Sequence, residues 1–222
     1  MTFSESWETI YEQGMQLSVF PFSDLVSLVF RNKIKKDSKI KVLELGCGAG
    51  ANISLFKELG YEYYGIEGSP TIVEEIHKKY PELSNNIIVG DFTKDLIFNF
   101  KFDYIIDRSS LTHNDTNSII KTLMNCYNTL ETNGLYIGVD WFSTNYPDFR
   151  SGNFVDDNTR SGFEDGQFKG VGRVHFSDES HLKYLFKETK FKIKSLEYKE
   201  IKYLIPKPNM KAFWNFVLIK NE

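Results

Sequence analysis

Gly46, Gly48 and Gly50 stand at alternate positions directly after the apolar run Val42-Leu43-Glu44-Leu45. Glycine lets a backbone turn sharply and approach a ligand with no Cβ in the way. Ala51 to Leu59 continues with helical spacing, so the turn opens a helix whose first N–H groups lack intrahelical partners. A nucleotide-like cofactor suits such a turn. Gly46-x-Gly48-x-x-Ala51 also fits the dinucleotide fingerprint, so the glycines alone leave the kind of cofactor open.

Acidic residues narrow the choice, because ligands of open α/β sheets bind beyond the carboxyl ends of the strands. Glu67, followed by Gly68-Ser69-Pro70, ends one strand-like run. A carboxylate there can accept hydrogen bonds from both hydroxyls of a ribose and repels a 2′-phosphate. Asp91, in Gly90-Asp91-Phe92, ends another and can accept the amino proton of an adenine while the Phe92 N–H meets the ring. Asp107, followed by Arg108 and Ser109, ends a third. Glu44 lies within an apolar strand, where a carboxylate is costly unless it is paired.

Glu44-x-Gly46-x-Gly48-x-Gly50 resembles motif I of the class I S-adenosylmethionine (SAM) methyltransferases, and Asp91-Phe92 resembles the adenine-binding motif of that family. The resemblance spans roughly Lys39 to Asn221. It implies a SAM site drawn from Glu44, Gly46, Cys47, Gly48, Gly50, Glu67, Gly68, Ser69, Asp91, Phe92, Asp107 and Arg108, with S-adenosylhomocysteine (SAH) as product. It also implies that Glu44 helps to hold the charged methionine end, a need that NAD does not have. Tyr198-x-x-x-Lys202 imitates the tyrosine and lysine of short-chain dehydrogenases but falls in an alternating, strand-like pattern rather than on a helix. SAM is therefore favoured, with an NAD oxidoreductase as the other reading.

Methyl transfer from a sulfonium is an in-line displacement. An alcohol nucleophile gains from a general base, whereas an amine needs only to arrive uncharged. Of the four histidines, His113 follows Asp107 in the loop after the fourth strand, and His175 ends a long insert that can fold back to the same mouth. His113, His175 and Asp107 are the catalytic candidates, whereas His77 and His181 fall on expected helices. No His/Asp cluster has metal-ligand spacing, so no metal is expected.

Alternating strands and helices must position these groups. Strands are expected at 41–45, 63–67, 87–90, 104–107 and 135–140. Helices are expected at 51–59, 71–80 and 116–130, with two more upstream at 7–13 and 22–31, the second capped by Ser23. Asn133-Gly134 closes the 116–130 helix. Ser143 to Phe176 reads as a long loop, Ser177 starts a helix to about Thr189, and 192–203 with 212–220 form an antiparallel pair. The fold class is α/β. The family resemblance implies a Rossmann-like seven-stranded sheet of order 3-2-1-4-5-7-6, strand 7 antiparallel, with helices on both faces.

At 222 residues the chain suits a single domain, 1–222, with 1–38 as an N-terminal helical lid segment and 143–176 as an insert covering the acceptor. Trp7-Glu8-x-x-Tyr11 resembles the aromatic lid of small-molecule methyltransferases. Trp141, Phe142 and further aromatics of the insert can wall an apolar acceptor pocket, and Arg150, Arg160 and Arg173 can clamp a carboxylate or phosphate. The net charge of −3 and pI near 5.9 give no general pull toward nucleic acid or an anionic membrane. Two cysteines form neither a disulfide framework nor a metal site, and no apolar run approaches the ~20 residues that span a bilayer. The expectation is a cytoplasmic enzyme methylating a small molecule such as an activated sugar, at oxygen rather than nitrogen. A protein or RNA methyltransferase and a non-catalytic SAM-binding regulator are the other readings, and the oligomeric state stays open.

Overall fold

The structure, a computed structural model, describes residues 5–15 and 17–221, without the side chains of residues 5 and 6. Its elements run α1 (Glu5–Glu12), α2 (Ser23–Arg31), β1 (Lys41–Leu45), α3 (Ile53–Glu58), β2 (Glu62–Glu67), α4 (Pro70–Lys79), β3 (Ile87–Val89), β4 (Phe102–Arg108), α5 (Thr116–Thr129) and β5 (Leu130–Phe142). They continue with β6 (Asn153–Asp156), β7 (Thr159–Ser161), β8 (Val174–His175), α6 (Glu179–Glu188), β9 (Lys192–Tyr203) and β10 (Asn209–Ile219).

Seven strands form one sheet in the order β3-β2-β1-β4-β5-β10-β9. The first five pair in parallel, and β10 pairs antiparallel with both β5 and β9. This is the order implied by the family resemblance, with β10 and β9 in the places of its strands 7 and 6. Apolar side chains cover both faces of the sheet, as a parallel sheet under crossover helices requires. Val42, Tyr104, Ile106, Ile137 and Val139 face one core with Phe56 and Leu28. Leu43, Leu45, Ile105, Tyr136 and Trp141 face the other with Phe186 and Phe216.

Four local expectations need correction. Ser23 is the first residue of α2 rather than its cap; Phe22 holds the cap position without a side-chain bond. Asn133-Gly134 does not close α5: the helix ends at Thr129, β5 begins at Leu130, and Asn133 takes a left-handed φ of 62° within that strand. The last helix starts at Glu179, because the Asp178 side chain caps it by accepting the His181 N–H. The 143–176 stretch is not structureless, since it contains the small antiparallel sheet β6-β7-β8. That sheet closes on a third core, in which Phe142, Tyr146, Phe163, Phe168 and Phe176 pack with Phe213 of β10. Aromatic residues bury much surface each, which lets a segment with few aliphatic side chains form a core. Among the described residues no helix is long and apolar enough to cross a membrane.

Candidate active site

A crevice opens at the carboxyl ends of the parallel strands, and the turn after β1 forms its floor. The Gly46 N–H donates to Ile66 O, which pins the turn to β2. Gly46 has φ 62°, and a Cβ there would lie 2.5 Å from the Ser110 side chain. Gly48 has φ 49°, and its Cβ would lie 3.1 Å from the Tyr11 hydroxyl of α1. Alanine at either position would be strained and crowded, so the glycines let the turn pack closely against Ser110 and α1.

The cofactor half gathers most of the residues expected there. Glu44, Gly46, Cys47, Gly48, Glu67, Gly68, Asp91, Phe92 and Arg108 all line the crevice. Glu67 is buried at 4% exposure, and its two oxygens accept the N–H groups of Gly48 (2.8 Å) and Ser69 (3.1 Å). It thus ties the glycine turn to the end of β2 while each oxygen keeps a further lone pair. Burial raises its pKa, against the opposing pull of those N–H groups. Glu44 accepts from Asn52 Nδ2 (2.7 Å) and from the Tyr63 hydroxyl (2.6 Å). Both donors are neutral, and burial pushes the Glu44 carboxyl up to about 7. Among the described residues no salt bridge reaches Glu44 or Glu67. A buried carboxylate without a cation is unfavourable. The crevice therefore suits a ligand of net positive charge such as SAM, rather than a dinucleotide with its doubly anionic pyrophosphate.

Three expected cofactor residues stand elsewhere. Gly50 (φ 74°) shapes the turn from below, where its Cβ would meet Ile53 Cδ1 at 2.6 Å. Ser69 is fully buried and caps α4 by accepting the Ile72 N–H. Asp107 is also fully buried and does not border the crevice: its Oδ1 accepts from Ser110 N and Leu111 N, and its Oδ2 from Trp141 Nε1 at 2.6 Å. Burial pushes its carboxyl up to about 6. Strand alternation explains the difference, since Asp107 points to the same side as Ile105, into the second core, and Arg108 points into the crevice.

The residues expected to serve the acceptor differ more from expectation. His113 is half-buried and lines the crevice, with its ring edge-on to Trp7 at 4.9 Å between centroids. Its Nδ1 lies 3.0 Å from Arg173 O. A carbonyl only accepts, so Nδ1 carries the proton and Nε2 is the acceptor. Burial pushes its pKa down to about 4, which keeps the ring neutral at physiological pH. His175 is corrected as a base candidate. It is fully buried outside the crevice, between Thr159 Oγ1 (3.0 Å) and His181 Nε2 (3.1 Å), and burial pushes it down to about 3.

Trp7, Tyr11 and Phe142 line the crevice as expected, but Trp141 is buried against Asp107 and Phe216. The cause is a bulge in which Val139 and Asp140 stand opposite the single Asn215 of β10, with Asp140 at φ 56°. The bulge shifts the alternation, so Trp141 enters the sheet core while Asp140 and Phe142 face the crevice. The three insert arginines do not reach it either. Arg150 is exposed, Arg160 donates to the Asp156, Asp157 and Thr159 carbonyls, and Arg173 pairs with Asp115.

Sequence reasoning missed Asn52, Ser109, Asn114, Asp140, Gln167, Lys211 and Phe213, all of which line the crevice. Asp140 was accessible from the strand-end rule, applied to the fifth strand. Because β10 runs antiparallel, its beginning rather than its end lies at this rim, which brings in Lys211 and Phe213. No local signal marks Gln167. Ser109 (φ 59°) and Asp140 are both left-handed, and Ser109 Oγ donates to Asp140 O at 2.7 Å. Such conformations cost about 1–3 kcal/mol each in non-glycine residues and concentrate at functional sites.

Among the described residues no group of three or more His, Cys, Asp or Glu could hold a metal ion.

Residues 42–134 match the family model described as a methyltransferase domain. No curated protein matches the sequence. The fold is shared with a SAM-dependent methyltransferase from Methanosarcina mazei, at TM-score 0.66 and 15% identity over 91% of this chain and 99% of that one. It is shared also with the CcbJ methyltransferase of Streptomyces caelestis, at TM-score 0.67 and 13% identity over 99% of this chain and all of the other (100%). A third similar structure is a Burkholderia thailandensis 1,6-didemethyltoxoflavin-N1-methyltransferase with bound 1,6-didemethyltoxoflavin and SAH. Its TM-score is 0.65, with 13% identity over 98% of this chain and 85% of the other. At these identities the likeness concerns the fold. The domain match over residues 42–134 and the sheet order together show a methyltransferase domain on the fold shared with these SAM-dependent methyltransferases.

Proposed function

We propose that the chain methylates a small-molecule acceptor, at oxygen in preference to nitrogen. The observation that supports this reading is His113: a neutral imidazole, held by Nδ1, lining the same crevice as the glycine turn with Nε2 as acceptor. Bound SAM supplies a methyl group already activated on a sulfonium. Glu67 accepts hydrogen bonds from the ribose hydroxyls, Asp91 and the Phe92 N–H meet the adenine, and Glu44 balances the positive charge. His113 takes the proton from an acceptor hydroxyl as the oxygen attacks. Trp7 and Tyr11 of α1, with the aromatic cluster of the 143–176 insert, cover the reacting groups and exclude water. The chain is then one methyltransferase domain in which α1 and the 143–176 insert form the cover. The small acceptor bound in the Burkholderia thailandensis enzyme, a nitrogen methyltransferase by name, supports the acceptor class and not the attacking atom.

The test is transfer of label from methyl-labelled SAM to a metabolite library. Labelled small molecules bearing a new methyl ether are the expected result. Label found only in protein or RNA contradicts the proposal.

A further inference from the structure

The acceptor end of the crevice has two chemically opposite poles. At one pole, His113 offers Nε2, and Asn114 donates through Nδ2 to Leu111 O (3.2 Å), which leaves its Oδ1 as acceptor. Both residues line the crevice and attract a donor such as a hydroxyl. At the other pole, the Tyr146 hydroxyl donates to Gln167 Oε1 at 2.8 Å. This fixes the amide so that its NH2 group is the end left to a ligand. Gln167 adjoins Phe168, and Tyr146 packs on both Phe168 (5.3 Å) and Phe213 (5.7 Å). Lys211 precedes Phe213 by two positions and so lies on the same face of β10; both line the crevice.

Two cationic side chains line this crevice among the described residues, Arg108 and Lys211. Arg108 is committed: it pairs with Asp140 at 3.1 Å and lies over the Phe22 ring at 3.7 Å. Lys211 is half-buried and forms no salt bridge with a described carboxylate. Its ammonium lies 5.7 Å from the Tyr203 ring centroid, and its charge is felt at Asp148. Between the poles the wall is apolar, formed by Phe142, Phe168, Val171, Phe213 and Trp7.

We infer that the acceptor is an apolar, ring-bearing acid whose carboxylate is read by Lys211 and the Gln167 amide while its nucleophile faces His113. The inference rests on the methyltransferase reading of this crevice and names its substrate class. A single lysine matches one negative charge. The diphosphate of an activated sugar brings at least two into a crevice that already holds Glu44, Glu67, Asp91 and Asp140, so the carboxylate is favoured over it.

Calorimetry on the SAH-saturated protein tests this, with naphthoate as the apolar acid and naphthamide as its uncharged analogue. Naphthoate is expected to bind at least about tenfold more tightly than naphthamide, because a hydrogen bond to a charged group is stronger than one to a neutral group. Lys211→Met is expected to abolish that preference and Lys211→Glu to reverse it, with SAH binding reporting that each variant is folded. Equal binding of the two probes, binding of neither, a preference that survives Lys211→Met, or tighter binding of a nucleoside-diphosphate sugar overturns the inference. Failure of the parent protein to bind SAH at all instead overturns the methyltransferase reading on which it rests.

Discussion

The two halves of the crevice are built in different ways. The cofactor half comes from consecutive strand–turn–helix units, in which backbone N–H groups and strand-end carboxylates do the work: Gly48 and Ser69 donate to Glu67, and Thr93 donates to Asp91 at 3.0 Å. The acceptor half is assembled from side chains far apart in sequence, with Trp7 on α1, His113 after β4, Phe142 on β5, Gln167 in the insert and Lys211 on β10. A site of the first kind is encoded locally, because one turn fixes its geometry. A site of the second kind exists only once the sheet has closed. On the proposed function, variation in the second half changes the acceptor and leaves cofactor binding alone.

Substitutions at each half test that separation. His113→Ala is expected to have the largest effect, lowering turnover by about 10²–10⁴-fold, the usual contribution of a positioned base. SAH affinity should stay near that of the parent. Stopped turnover assays paired with calorimetry check this, and a parallel loss of affinity would break the division between the halves. Glu67→Ala acts on the other side, through cofactor affinity. It removes the carboxylate proposed to accept from the ribose hydroxyls, and one hydrogen bond to a charged group contributes about 1.5–3 kcal/mol. A 10- to 100-fold weaker SAH affinity (~) is expected, and unchanged affinity would misplace the ribose.

The smallest effect expected is a pH dependence. Burial raises Glu44 to about 7, so the folded protein holds a proton there that an unfolded chain, near 4.5, would release. The apo protein therefore loses stability from this group as pH rises through about 7. A cationic ligand prefers ionised Glu44, so SAM affinity should rise by about tenfold between about pH 6 and about pH 8, with proton release on binding. Glu44→Gln should flatten that rise. His113, pushed down to about 4, stays neutral throughout this range and contributes no limb of its own.

The same contrast explains what was legible in the sequence. Glu67, Asp91 and the glycines follow from strand ends and turn chemistry, and the structure brings them together. Asp107 shows the limit of that reasoning: the strand-end rule finds the acid, but the alternation of the strand turns it into the core beneath Trp141. Trp141 itself was displaced by the bulge at Asp140, which no residue pattern announces. The insert arginines were misplaced because each found a nearer partner or solvent, in a segment whose aromatic residues form their own core. Gln167 and Lys211 depend on long-range pairing, through Tyr146 and through antiparallel β10.

The central claim is that Glu44, Glu67 and Asp91 surround one adenosyl cofactor at this rim, with His113 beside the departing methyl. A crystal structure with bound SAH tests it most directly. The expected result places the ribose hydroxyls on Glu67, the adenine between Asp91 and the Phe92 N–H, and the sulfur on the side of the crevice that His113 faces. SAH lodged elsewhere, or lying in the crevice with its ribose away from Glu67, would contradict the account.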